Sequence, residues 1–263
     1  MSSNCLEGKI ALVTGANRGI GRGAAICLAE EGADVLVNYR THAAEAAEVV
    51  TEIEGLGRRA MAWRADVSDR AKMEEMFHGA VKHFGRIDIV VANAASSIRQ
   101  TVVEAQWEDF QHTVSVTQFG VFHTCQFAAQ HMVERGKGGK IIVISSIHAE
   151  FPFARSGAYN MSKAGINHLA RTMAGELAQY RINVNVINPG WIDTPGERAY
   201  TSEDVMKKAA LNIPWKRMGT IRDIGRCVVF LASEDSDYMT GSVMRVDGGF
   251  MLGLALPRSR EDD

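Results

Sequence analysis

Tyr159 and Lys163 stand four residues apart in Tyr159-Asn160-Met161-Ser162-Lys163, and Ser146, second of the pair Ser145-Ser146, lies thirteen residues before the tyrosine. If this segment opens a helix, the i, i+4 spacing puts phenol and ammonium on one face, a turn apart. A free tyrosine has a pKa of about 10, too high for an efficient base at neutral pH, and a neighbouring ammonium favours the phenolate. Tyr159 can then give and take a proton, while a hydroxyl at Ser146 holds the substrate oxygen and stabilises charge developing on it. Such groups interconvert an alcohol and a carbonyl once a nicotinamide dinucleotide accepts or supplies the hydride.

A second set of residues suits the dinucleotide. Thr14-Gly15-Ala16-Asn17-Arg18-Gly19-Ile20-Gly21 follows an apolar run, Ile10–Val13, and leads into an Ala-rich helical stretch. Glycines there permit a tight turn and let backbone N–H groups and the helix N-terminus approach a pyrophosphate. About 20 residues further on, where a carboxylate would accept hydrogen bonds from the ribose of NAD, the chain reads Val37-Asn38-Tyr39-Arg40. With no carboxylate at that place, Arg40 and Arg18 can converge on a 2′-phosphate, so NADP(H) is the expected cofactor and NAD(H) a possible one. Asp66, after Ala60–Trp63, can accept a bond from the adenine amino group, and Asn93, after Ile87–Val91, can hold a ribose.

These residues need a scaffold. Short, largely apolar runs recur at Ile10–Val13, Val35–Val37, Ile87–Val91, Ile141–Ile144, Val184–Ile187 and Val243–Val246, with Ala60–Trp63 as a weaker seventh. Continuous apolar runs predict strands covered on both faces. Between them, residues 19–31, 42–56, 69–84, 107–134, 157–179 and 221–233 are rich in good helix formers. The alternation predicts an α/β fold: a single Rossmann-type, doubly wound parallel sheet of about seven strands with helices on both faces. We expect one domain over residues 1–263, with a substrate lid around 190–218 and a C-terminal tail from Leu252.

Composition narrows the partners. With 46% hydrophobic and 23% charged residues and five prolines, the chain is ordinary globular material. Its 29 basic and 31 acidic residues give a formal charge of −2, which offers no footprint for nucleic acid. No apolar run approaches the roughly 20 residues that span a bilayer, and the start lacks a basic-then-apolar leader, so a cytoplasmic protein with a small-molecule substrate is expected. Cys5, Cys27, Cys125 and Cys227 are far apart and read as reduced, mostly buried thiols; no metal site is expected.

From Lys9 to about Gly249 the sequence resembles the short-chain dehydrogenase/reductase family. The resemblance rests on Thr14-Gly-x-x-x-Gly-x-Gly21, Asp66, Asn93-Ala94, Ser146, Tyr159-x-x-x-Lys163 and Asn188-Pro189-Gly190. It implies that Ser146 orients the carbonyl, Tyr159 exchanges the proton, and Lys163 binds the nicotinamide ribose and lowers the tyrosine pKa. It implies a cofactor site comprising Thr14, Gly15, Asn17, Arg18, Gly19, Ile20, Gly21, Arg40, Asp66, Val67, Asn93, Ala94, Tyr159 and Lys163, with Pro189, Gly190, Ile192 and Thr194 at the carboxamide end. A homotetramer built on residues 107–134 and 157–179 is also implied. Two positions depart from the family pattern. Thr117 stands where an Asn usually anchors a proton-relay water, and Ala95 replaces a glycine next to the nicotinamide. Within the family, Asn38-Tyr39-Arg40, the stretch from Ser145 through His148 to Pro152, and Asp247-Gly-Gly249 look most like glucose 1-dehydrogenases; 3-oxoacyl-carrier-protein reductases share much of the pattern. The first likeness implies a substrate site of Ser146, His148, Tyr159 and Trp191. A dinucleotide-binding regulator without catalysis is a third reading, prompted by Thr117 and Ala95.

Overall fold

The computed structural model describes residues 4–252. The first half runs β1 (Ile10–Val13), α1 (Gly19–Glu30), β2 (Asp34–Tyr39), α2 (Ala43–Gly55), β3 (Ala60–Arg64), α3 (Arg70–Phe84) and β4 (Ile89–Ala92). The second half runs α4 (Trp107–Val114), α5 (Gly120–Arg135), β5 (Gly139–Ile144), α6 (Gly157–Leu177), β6 (Ile182–Pro189), α7 (Pro195–Arg198), α8 (Glu203–Ala210), α9 (Ile221–Ala232) and β7 (Val243–Val246). The strands form one seven-stranded sheet in the order β3-β2-β1-β4-β5-β6-β7, every neighbouring pair parallel. The order reverses between β1 and β4, and ligands of open α/β sheets lie in the crevice beyond the strand ends at that reversal.

Alternation along the strands feeds two cores. In β1, Ile10 and Leu12 pack with Met73 and Met76 of α3, Cys125 of α5 and Ile166 of α6. Ala11 and Val13 pack instead with Ala24 of α1, Val49 of α2 and Ile224 of α9. Both faces are thus buried, which is why β1 and β4 are apolar at every position. Local signals set the helix ends: Asp69 caps α3 by accepting from the Lys72 N–H at 3.1 Å, and Gly85 closes it in the left-handed region at φ 86°.

The expected elements are present, with shifted bounds and two differences of substance. The stretch 107–134 is helical without a gap but carries a π turn at Ser115–Phe119 between α4 and α5. The expected lid contains α7 and α8, and β6 runs two residues beyond Ile187 into Pro189. Past Leu252 the predicted tail lies outside the described residues. Among the described residues no helix is long and apolar enough to cross a membrane. All four cysteines are free thiols; Cys27 and Cys125 are buried and Cys5 is exposed.

Candidate active site

Two cavities meet at the carboxyl ends of the strands. One, of about 560 Å³, runs from Arg18, Arg40 and Asp66 past the glycine loop to Tyr159 and Lys163. The other, of about 640 Å³, is walled by Ser146, His148, Phe153, Trp191 and Phe250. Tyr159, Arg99, Thr194 and Glu197 line both.

The glycine loop is held from three sides. Thr14 Oγ1 accepts from the N–H groups of Asn93 and Ala94 at 2.9 and 3.1 Å. Asn93 Nδ2 donates to the Thr14 carbonyl at 2.9 Å, and Asn38 Oδ1 accepts from Gly15 N–H at 3.2 Å. Gly15 and Gly19 both have positive φ, 61° and 56°, where a side chain would be strained. At Gly21 the reason for glycine is closeness: a Cβ there would lie 2.2 Å from the Gly15 carbonyl oxygen and 2.6 Å from Asn93 Nδ2. This is a cradle shaped by the absence of side chains at the start of α1, and it fits a pyrophosphate. Gly21→Ala should therefore weaken 5′-AMP binding at least tenfold, roughly 1.4 kcal/mol, by isothermal titration calorimetry. An unchanged affinity would show that the loop does not need this packing.

Asn93, expected to hold a ribose, gives its amide N–H groups to the loop, donating to the Thr14 and Gly15 carbonyls at 2.9 and 3.3 Å. Asp66 is likewise engaged: Oδ1 accepts from Ser68 N–H and O–H at 2.9 and 2.7 Å, and Oδ2 lies 3.6 Å from Arg40 Nη1. Burial alone would raise the Asp66 carboxyl, but the Ser68 bonds and Arg40 hold it below the usual carboxylate range. Arg18 is gripped by Glu45, through Nε to Oε2 at 2.7 Å and Nη2 to Oε1. Asn17 Nδ2 donates to the same Glu45 Oε2 at 3.0 Å. Glu45 and Asn38 carried no sequence signal of their own.

At the other end, Tyr159 sits in the first turn of α6 and Lys163 one turn later, with Lys163 Nζ 5.3 Å from the tyrosine ring centroid. Lys163 is 1% exposed; its Nζ donates to the Ile144 carbonyl at 2.8 Å, and burial pushes its pKa down to about 7. Tyr159 is half-buried as a residue, yet desolvation pushes the phenol up to about 12 while its hydrogen bond with Ser146 draws it back. Ser146 also caps the turn after β5, its Oγ accepting from His148 N–H at 3.2 Å. Ser145 faces the other way: its Oγ donates to the Lys163 carbonyl and fastens α6 to β5. Serine, tyrosine and lysine are therefore brought together.

Thr117 uses its hydroxyl within the protein. It is fully buried in the π turn, donating to Ser96 O at 2.8 Å and accepting from Ser96 N–H at 3.0 Å. Its hydroxyl secures the loop after β4, and its neighbour Val116 lines the cofactor cavity. Ala95 lines it too, and Val67 forms part of the adenine end.

The substrate cavity has its own polar order. Asn160 Nδ2 donates to Phe153 O at 2.9 Å, so its Oδ1 faces His148 Nδ1, 2.7 Å away. That oxygen only accepts, which puts the imidazole proton on Nδ1 and leaves Nε2 as an acceptor. Burial lowers the His148 pKa despite the Asn160 bond, so the ring is neutral at neutral pH. It stacks on Phe153 at 4.2 Å and meets Tyr159 edge-on at 5.2 Å. Across the cavity Glu197, absent from the sequence reading, receives Arg99 Nη2 at 2.8 Å and Trp191 Nε1 at 3.1 Å. Thr194 caps α7 by accepting from the Glu197 N–H at 3.3 Å, with Pro195 at the first turn. Pro189, Gly190 and Ile192 line the same cavity.

Comparison with known proteins agrees with this arrangement. A family model described as enoyl-(acyl carrier protein) reductase matches residues 15–251. A short-chain type dehydrogenase/reductase from Mycobacterium marinum superposes with a TM-score of 0.87 at 38% identity, over 93% of this chain and 96% of that one. The chain belongs to the short-chain dehydrogenase/reductase family. Among its relatives, an L-rhamnose 1-dehydrogenase (NAD(P)(+)) from a Sphingomonas species is 36% identical over 250 residues, 95% of this chain and 98% of the relative. A 2-dehydro-3-deoxy-D-gluconate 5-dehydrogenase from Escherichia coli is 36% identical over 253 residues, again 95% and 98%. Like these short-chain dehydrogenases, the chain is an NAD(P)-dependent oxidoreductase.

Proposed function

We propose that the enzyme interconverts an alcohol and a carbonyl on a neutral polyhydroxylated substrate, with NADP(H) preferred and NAD(H) used as well. The observation that carries the reading is the junction of the two cavities at Ser146, Tyr159 and buried Lys163. The glycine cradle and Arg40 would hold the dinucleotide; when bound, it supplies the hydride acceptor or donor. Ser146 orients the substrate oxygen, Tyr159 moves the proton on that oxygen, and Lys163 in its protonated form supplies positive charge beside the phenol.

Neutrality of the substrate follows from the walls. Arg99 is paired with Glu197 and His148 is uncharged, so among the described residues no lining cation stands ready for a carboxylate. The Nε2 acceptor of His148 suits a hydroxyl donor. Phe153, Trp191 and Phe250 suit the apolar face of a sugar ring. An aldose oxidised at C1, as in the glucose 1-dehydrogenase reading, meets these conditions. The name of the rhamnose-oxidising relative supports a sugar, whereas that of the relative acting on a sugar acid supports a charged substrate. The homotetramer rests on the family resemblance.

Absorbance of the reduced nicotinamide tests the reading, using NADP and NAD against aldoses, polyols and aldonic acids, and NADPH against ketones and acyl thioesters. We expect turnover of a neutral aldose, glucose and L-rhamnose being the first to try. Turnover confined to acyl thioesters or acids would overturn the substrate class; none at all, with dinucleotide still bound, would leave a regulator. His148→Phe keeps the stack on Phe153 and removes the acceptor. It should raise KM for the aldose about tenfold, near 1–2 kcal/mol, and spare ketones lacking hydroxyl groups.

A further inference from the structure

The adenosine end of the cofactor cavity contains two guanidinium groups, and they are not equally available. Arg40 touches Asp66 through one nitrogen at 3.6 Å, with 52% of its side chain exposed. Arg18 has one edge of its guanidinium taken: Nε and Nη2 both donate to Glu45, whose Oε2 also takes the Asn17 amide at 3.0 Å. Arg18, Arg40, Glu45 and Asp66 sum to zero formal charge. A 2′-phosphate brings roughly −1.5 to −2 charges; to take the Nε/Nη2 edge of Arg18 it must displace a carboxylate already bound there in bidentate fashion, and at the Nη1 side it meets a guanidinium whose charge Glu45 already offsets. A cofactor with a free ribose hydroxyl makes no such demand and leaves the pair intact.

We propose that Glu45 is a cofactor-specificity residue: its carboxylate competes with the 2′-phosphate of NADP(H) for the Arg18 guanidinium and so keeps NAD(H) usable. The inference rests on the reading that the 2′-phosphate meets Arg18 and Arg40. It deepens that reading by naming the residue on α2 that limits the preference. Glu45 sits in the first turn of α2, 27 residues from Arg18 in sequence, with about a third of its side chain exposed. Replacing it with an uncharged amide keeps the shape and one acceptor oxygen while removing the competing charge and the second acceptor, whose place a donor NH2 takes.

The test is calorimetric titration of the full chain with adenosine 2′,5′-bisphosphate and with 5′-AMP, for the unaltered protein, Glu45→Gln and Arg40→Ala. Glu45→Gln should tighten the bisphosphate about tenfold and leave 5′-AMP within about twofold. The ratio of kcat/KM for NADP over NAD should move the same way. Equal tightening of both ligands, no change, or weaker bisphosphate binding would each overturn the role of Glu45. Arg40→Ala should weaken the bisphosphate alone. If it does not, the 2′-phosphate lies elsewhere and the underlying reading fails; if it does while Glu45→Gln changes nothing, only the Glu45 proposal fails.

Discussion

Tyr159→Phe should lower kcat/KM by about 10³-fold or more while leaving dinucleotide affinity within about twofold. The substitution removes one oxygen and keeps the ring that meets His148 edge-on, so packing is preserved. What is lost is the proton relay. With the phenol pushed up to about 12, Tyr159 carries its proton at neutral pH in the ligand-free enzyme and is ready to donate during carbonyl reduction. Alcohol oxidation needs the opposite state, so its rate should rise with pH while reduction falls. Steady-state rates in both directions, with dinucleotide binding measured separately, check this. Turnover within tenfold of the unaltered enzyme would remove Tyr159 from the chemistry.

Lys163→Met should also abolish turnover, by about 10²–10⁴-fold, yet make the ligand-free protein more stable. The reason is linkage. Lys163 titrates near 7 in the folded chain against 10.5 for the ordinary side chain. Between those values the unfolded chain holds a proton that the folded chain has shed, so this residue makes stability rise with pH from about 7 to 10.5. Its contribution is least favourable below 7. The gross cost there is on the order of 5 kcal/mol, offset in the variant by the Ile144 carbonyl losing its donor, about 1–3 kcal/mol. A net gain of about 2 kcal/mol would raise Tm by roughly 4–8 °C at pH 6, shrinking toward pH 10. Thermal unfolding at both pH values decides it; a variant no more stable at pH 6 would mean that the ammonium is well solvated in the folded chain.

These expectations draw on what was and was not legible in the amino-acid order. The strands, the glycine loop and the Tyr159–Lys163 pair were readable because each depends on spacing within one element. The π turn at Ser115–Phe119 was not, since nothing in Val116-Thr117-Gln118 marks an extra residue in a helix turn. That turn accompanies Thr117's bonds to Ser96, where the sequence suggested a water anchor. Partners were harder still. Arg18 and Arg40 were identified as cations, but Glu45 and Asp66, which pair with them, are selected by how β2, β3 and α2 pack. Arg99 and Glu197 lie 98 residues apart, and their ion pair exists only because the loop after β4 and the segment after β6 face one another. Asn160 lay inside the recognised motif, yet its role in fixing the His148 tautomer depends on the Phe153 carbonyl.

The Arg99–Glu197 pair, together with Thr194 and Tyr159, belongs to the walls of both cavities. A partition shared by two compartments makes their occupancies thermodynamically dependent: whatever shifts it for one ligand changes the free energy of binding the other by the same amount in return. Saturating dinucleotide should therefore alter the apparent affinity for substrate, and saturating substrate should alter dinucleotide affinity by an equal factor. Initial-rate patterns would then depart from those of two independently filled sites.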